Sequence, residues 1–103
     1  EIVWEAAQAL VGLLVRQPWR ICSCRVLELG SGCGLLGIAA AALGAREVTL
    51  TDQVLYMASH NLKSNFKDRP ELLQRCRVKE LSWGHQAQMA CLEPPYEVIL
   101  GAD

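Results

Sequence analysis

The chain lacks an excess of charge of either sign. Its 103 residues carry 10 Lys and Arg against 11 Asp and Glu, a formal net charge of −1. That balance offers no surface for a phosphate backbone and excludes a dedicated nucleic-acid binder. The sequence also has no apolar run of the roughly 20 residues needed to cross a bilayer. Its opening, Glu1-Ile2-Val3-Trp4, has neither the basic start nor the cleavage site of a secretory leader. Cysteine is present but unorganised: Cys22-Ser23-Cys24 has no second pair at zinc-site spacing, and Cys33, Cys76 and Cys91 are scattered. No metal site is expected, and free thiols suit a reducing compartment, the cytosol or the nucleus. His60 and His85 belong to no catalytic constellation and read as surface or hydrogen-bonded side chains. Internal repeats, linkers and low-complexity segments are missing as well.

What remains is a 51% apolar chain, enough for the core of one small domain. Its most informative stretch is Val26-Leu27-Glu28-Leu29-Gly30-Ser31-Gly32-Cys33-Gly34. An apolar run carrying one acid breaks into glycines at every second position. Glycine tolerates positive φ and has no Cβ to hold a ligand off the backbone. A helix that follows aims its free N–H groups and positive dipole end at the same place.

Apolar spacing predicts a helix from about Val3 to Val15, stopped by Pro18, and a strand over Arg25–Leu29. Leu35–Leu43 is apolar nearly all round, hence a deeply buried helix with Gly44 as its cap. Glu47–Thr51 is a second strand closing on Asp52. Val54–Phe66 is an amphipathic helix with Leu55, Ala58, Leu62 and Phe66 on one face. Lys67-Asp68-Arg69-Pro70 breaks the chain. Arg77–Leu81 forms a third strand, with Arg75, Arg77 and Lys79 on its solvated side. Ser82-Trp83-Gly84 and a loop follow, then a fourth strand, Tyr96–Leu100. Strands alternating with helices imply an α/β fold, a parallel sheet with helices on both faces. A ligand belongs at the carboxyl ends of its strands. Glu28, the glycines, Asp52, Trp83 and Asp103 all fall at or just past those ends.

The glycine turn taken alone leaves the cofactor open. Gly32-Cys33-Gly34-Leu35-Leu36-Gly37 fits the dinucleotide fingerprint, and Asp52 lies at the distance of a ribose-binding acid. A carboxylate two residues before Gly30 is unusual beside a diphosphate. It suits a ligand bearing an ammonium and a sulfonium, and so favours S-adenosylmethionine over NAD or FAD.

The register Glu28-x-Gly30-x-Gly32-x-Gly34, with Asp52 closing the next strand and Asp103 ending a later one, resembles the class I (seven-strand) methyltransferases. Val3-Trp4-Glu5-Ala6-Ala7, Leu81-Ser82-Trp83-Gly84 and Ile99-Leu100-Gly101-Ala102-Asp103 sharpen the likeness. Together they resemble methyltransferase family 16, the methyltransferase-like 21 protein-lysine methyltransferases. The resemblance implies a Rossmann-like fold and an S-adenosylmethionine cofactor. It implies that Trp4 caps the cofactor, that Gly30, Ser31 and Gly32 wrap its methionine part, and that Glu28 supports the turn. Asp52 would bind the ribose, Trp83 would lie against the adenine, and Ala102 would contact the ring through its backbone. Asp103 would open a D-x-x-Y motif beside the methyl-transfer site.

The implied substrate is a protein lysine, on a chaperone or translation factor, and the implied enzyme is monomeric when complete, with no membrane partner. Only four strands are predicted, so residues 1–103 read as the N-terminal, cofactor-binding part of one domain, cut short after the fourth strand. Other acceptors, such as histidine or a small molecule, and a non-catalytic cofactor- or partner-binding module remain open.

Overall fold

Two apolar strands form the centre of the fold, in a computed structural model that describes residues 5–101. They are β1 (Arg25–Leu29) and β2 (Glu47–Asp52), with Val26, Leu27, Glu28, Val48, Thr49, Leu50 and Thr51 all buried. Strands buried on both faces read as continuous apolar runs, as these do. With β3 (Cys76–Glu80) and β4 (Val98–Gly101) they form a four-stranded sheet of order β3-β2-β1-β4, every pair parallel. The register aligns the carboxyl ends: Leu29 lies beside Thr51 on one side and Gly101 on the other, and Asp52 beside Glu80.

The main core lies on one face. Val26, Val48, Leu50 and Leu100 meet Leu14 of α1 (Glu5–Arg16), Leu36, Ala40 and Ala41 of α2 (Leu35–Ala42), and Ala58 and Leu62 of α3 (Tyr56–Asn65). Small residues let α2 lie close to the sheet. Its last turn closes at Gly44, φ +106°, where the Ala45 N–H donates to the Ala40 carbonyl at 3.1 Å. On the opposite face Leu27 packs with Leu81 and Leu92, flanked by Leu29 and Tyr96. Arg25 pins that covering segment down. Its guanidinium donates to the carbonyls of Glu93 (3.0 Å) and Pro95 (2.6 Å), pairs with Glu47 at 3.2 Å, and lies 4.5 Å from the Tyr96 ring centre.

The predicted elements are present, with shifted ends. The third helix starts at Tyr56 rather than Val54, because Asp52 Oδ1 accepts the Gln53 N–H at 2.7 Å and keeps the chain turned past the strand. The third strand runs one residue earlier than expected. The fourth begins at Val98 rather than Tyr96, whose side chain is held beneath Arg25. Two short helices were not expected. Pro70–Leu73 (α4) starts on the proline of the expected break, and Gln86–Ala90 (α5) is capped by His85, whose Nδ1 accepts the Gln88 N–H at 3.2 Å. Neither is long enough to show a helical period in the sequence. Val3 and the predicted first turn at Trp4 lie outside the described residues, so α1 is described from Glu5. Among the described residues no helix is long and apolar enough to cross a membrane, and no group of His, Cys, Asp and Glu could hold a metal ion.

Candidate functional site

The chain leaves β1 into a turn that only glycine could build as it stands. Gly30, Gly32 and Gly34 have φ of +67°, +55° and +90°, a region that disfavours side chains. Gly30 and Gly32 are exposed, and a Cβ added to Gly32 would meet nothing within 4 Å, so the Gly32 backbone faces open space. Between them Ser31 is buried, 7% exposed. Its N–H donates to the Thr51 carbonyl and its carbonyl accepts the Gly34 N–H, both at 2.8 Å. Its buried hydroxyl lies beside the Glu28 carboxylate but outside normal hydrogen-bond geometry.

Asp52, at the end of β2, holds the turn from the side. Its Oδ2 accepts the Gly32 N–H at 2.8 Å and its Oδ1 the Gln53 N–H at 2.7 Å. A carboxylate has about four lone-pair positions, so two remain for further donors such as vicinal ribose hydroxyls. Gly32 and Asp52, 20 positions apart, are thus joined by one charge-assisted bond.

Glu28 lies beneath the turn, 3% exposed, with Oε1 accepting the Gly37 N–H of α2 at 3.2 Å. Burial raises its pKa from the usual carboxylate range to about 7. The neighbouring Ser31 hydroxyl and the Gly37 N–H oppose that shift, while the Asp52 charge adds to it. Its contact has a chemical consequence. The Gly37 N–H is one of the unpaired donors of the first turn of α2, the group a diphosphate would use. Glu28 already occupies it. The occupied donor thus works against a diphosphate whether or not Glu28 carries its charge.

Trp83 stands at the rim, 74% exposed, too exposed to anchor its turn by packing. It lines a cavity of about 330 Å³ with Leu27, Leu29, Leu81, Met89 and Leu92, on the face of the sheet away from α2. Leu29 directly precedes the glycine turn, so cavity and turn adjoin. Trp4, Ala102 and Asp103 lie outside the described residues; Gly101, next to the last two, sits at the carboxyl end of β4 beside Leu29. The five cysteines are free, and both histidines are exposed.

Two contributors, Thr51 and Asn61, were missed in the sequence, and a third, Gly37, was read only as part of the dinucleotide fingerprint. Thr51 ties β2 to β1 through its hydroxyl, which donates to the Glu28 carbonyl at 2.7 Å. Asn61 of α3 donates from Nδ2 to the Cys33 carbonyl at 2.8 Å. Gly37 gives α2 its close approach to the sheet. Asn61 gave no signal of its own in the sequence: that it shares a helix face with Ala58, three residues earlier, gains meaning only once α3 packs on the glycine turn.

A parallel sheet with a glycine turn after β1 and an acid closing β2 is the arrangement of class I methyltransferases. Among solved structures the chain resembles a putative RNA methyltransferase from Pyrococcus horikoshii, with TM-score 0.65, 23% identity, and coverage of 93% of this chain and 43% of that one. It also resembles Arabidopsis thaliana protein arginine methyltransferase 10, with TM-score 0.67, 24% identity, and coverage of 91% and 25%. At such identities the likeness shows the fold alone. The sequence profile of the lysine methyltransferase family matches residues 1–103, and the chain belongs to that family. Mouse protein N-lysine methyltransferase METTL21A is 39% identical over 104 residues, covering 99% of this chain and 46% of the relative. Mouse EEF1A lysine methyltransferase 3 is 36% identical over 101 residues, covering 98% and 41%. The chain spans about half the length of these curated relatives.

S-adenosylmethionine is the cofactor of this family, and the residues present fit it. The open backbone of Gly32, the spare acceptors of Asp52 and the α2 donor taken by Glu28 suit a cationic, ribose-bearing ligand better than a diphosphate.

Proposed function

We propose that residues 1–103 are the cofactor-binding part of a protein-lysine methyltransferase domain. The observation that carries the reading is the Gly32–Asp52 bond across the glycine turn, in a chain of the lysine methyltransferase family. In this reading Gly30, Ser31 and Gly32 hold the methionine part, Asp52 accepts the ribose hydroxyls, and Trp83 lies against the adenine, with Trp4 and Ala102 adding contacts. Glu28 supports the turn from below.

The cofactor supplies an activated methyl group, so the protein's own task is alignment and deprotonation. A lysine with an ordinary pKa near 10.4 is neutral in only about one molecule in 2,500 at pH 7. Asp103, two residues past Gly101, is the group we assign to orient that amine and accept its hydrogen bonds. The name of one relative, EEF1A lysine methyltransferase 3, makes a translation factor the acceptor to test first, and a chaperone the second. Unpaired thiols fit a cytoplasmic or nuclear setting.

The test is transfer of a labelled methyl group from S-adenosylmethionine to purified EEF1A and to a purified chaperone, with the modified residue read by mass spectrometry. Label on lysine, lost with Asp103→Ala, is the expected result. Label on histidine or on a small molecule would replace the acceptor. No transfer by a protein that binds the cofactor would make it a non-catalytic module.

A further inference from the structure

We infer that Asn61 is a positioning residue for the cofactor: it locks the peptide unit between Cys33 and Gly34 in one orientation. The inference rests on the proposed reading of the glycine turn as the S-adenosylmethionine site. Asn61 lies on α3, 28 residues from Cys33 in sequence, and its Nδ2 donates to the Cys33 carbonyl at 2.8 Å. At the other pole of the same peptide unit, the Gly34 N–H donates to the Ser31 carbonyl at 2.8 Å. The unit is clamped at both ends, one end by the turn itself and the other by α3.

The clamp is needed because of Gly34. At φ +90° it occupies a region that glycine visits about as readily as its mirror image. The peptide before it therefore rotates at little steric cost, which a Cβ would otherwise prevent. Rotation would break the Ser31 contact and reverse the dipole presented at the mouth of the turn. It would also strand the Cys33 carbonyl, which precedes the helix and has no intrahelical donor. Packing brings the lock into reach: a Cβ on Gly34 would lie 3.4 Å from Ala58 Cα and 3.5 Å from Ala58 Cβ, so α3 rests on the turn one helical turn before Asn61. Ala58 sets the distance and Asn61 makes the polar contact.

A purely structural asparagine would affect stability and leave affinity alone. The deciding experiment titrates the intact protein with S-adenosylhomocysteine by calorimetry and records thermal midpoints without ligand. It compares the unaltered protein with Asn61→Asp, Asn61→Ala, Asn61→His and Asn65→Ala. Asp and Ala remove the donor, one with added charge and one without; His can place a ring N–H near the same point. Asn65, whose amide donates to the Asn61 backbone carbonyl at 2.7 Å, controls for disturbing the helix.

Asn61→Asp and Asn61→Ala are expected to weaken binding about tenfold, the value of one hydrogen bond. Asn61→His should recover most of that loss, and Asn65→Ala should bind normally. Unchanged affinity in the Asp and Ala variants, or losses that track thermal midpoint across all four, would overturn the inference while the site reading stands. Failure of the unaltered protein to bind would overturn the site reading and this inference together.

Discussion

Glu28→Gln should stabilise the ligand-free chain at pH 8 by roughly 3 kcal/mol and leave its stability nearly unchanged at pH 4. The sign follows from the direction of the shift. Folding raises the Glu28 pKa from 4.5 to about 7. Below the unfolded value both states hold the proton and the group contributes nothing. As pH rises toward about 7 the unfolded chain releases its proton while the folded chain keeps it, so stability falls. Above about 7 the loss levels off at roughly 1.4 kcal/mol for each unit of difference. Glutamine cannot ionise. Its carbonyl still accepts the Gly37 N–H, and its amide can donate to the neighbouring Ser31 hydroxyl. Denaturant unfolding at the two pH values checks this; a gain of the same size at both, or a loss at pH 8, would show that Glu28 is not held in a medium that opposes its charge. The native acid at this place, in spite of the cost, is what a site built for function rather than stability would carry.

Gly37→Ala should destabilise the chain by roughly 2 kcal/mol, although alanine is the better helix former. Inside a helix the exchange gains up to about 1 kcal/mol in backbone entropy. Here a Cβ would sit 2.7 Å from Leu50 Cγ, 2.8 Å from Leu50 Cδ2 and 2.8 Å from Glu28 Oε1. Leu50 is fully buried in β2, and Glu28 Oε1 is the atom that accepts the Gly37 N–H. Neither can yield without shifting the helix off the sheet. Overpacking of this kind costs about 1–3 kcal/mol, and the weakened hydrogen bond adds about 1 more, so the clash wins. Thermal or denaturant unfolding reads the loss. A more stable variant would mean that α2 lies farther from β1 and β2 than described. The contact also explains the glycine: it serves helix–strand packing, not the ligand, the role given to the third glycine of a dinucleotide turn.

These two residues mark how far the sequence could be read. The parallel order, the central strands and the site edge were legible because their signals are local: a glycine at every second position, an acid at a strand end, apolar runs too continuous for a half-exposed strand. The Gly32–Asp52 bond joins the two motifs picked out first. Glu28 was legible as an acid in an apolar run, but not as the acceptor for the α2 donor, because that depends on how α2 crosses β1. Thr51 and Asn61 were silent for the same reason. A threonine in a β-branched strand and an asparagine in a helix look ordinary until the strands pair and the helix packs. The short helices α4 and α5 escaped because one turn has no period. Trp83 was legible as a residue just past a strand end, and its role against the adenine came from resemblance; its high exposure beside an apolar cavity is a property that only the fold supplies.

The central claim is that the turn at 30–34, held by Asp52, is an S-adenosylmethionine site. Calorimetric titration with S-adenosylhomocysteine, and in parallel with NAD, tests it most directly, using the unaltered protein and a folded Asp52→Ala variant. The predicted result is micromolar binding of S-adenosylhomocysteine and no heat with NAD. In Asp52→Ala affinity should fall roughly a hundredfold, since two charge-assisted bonds to ribose are worth about 3 kcal/mol. Binding of NAD in place of S-adenosylhomocysteine, or undiminished binding by Asp52→Ala, would contradict the claim.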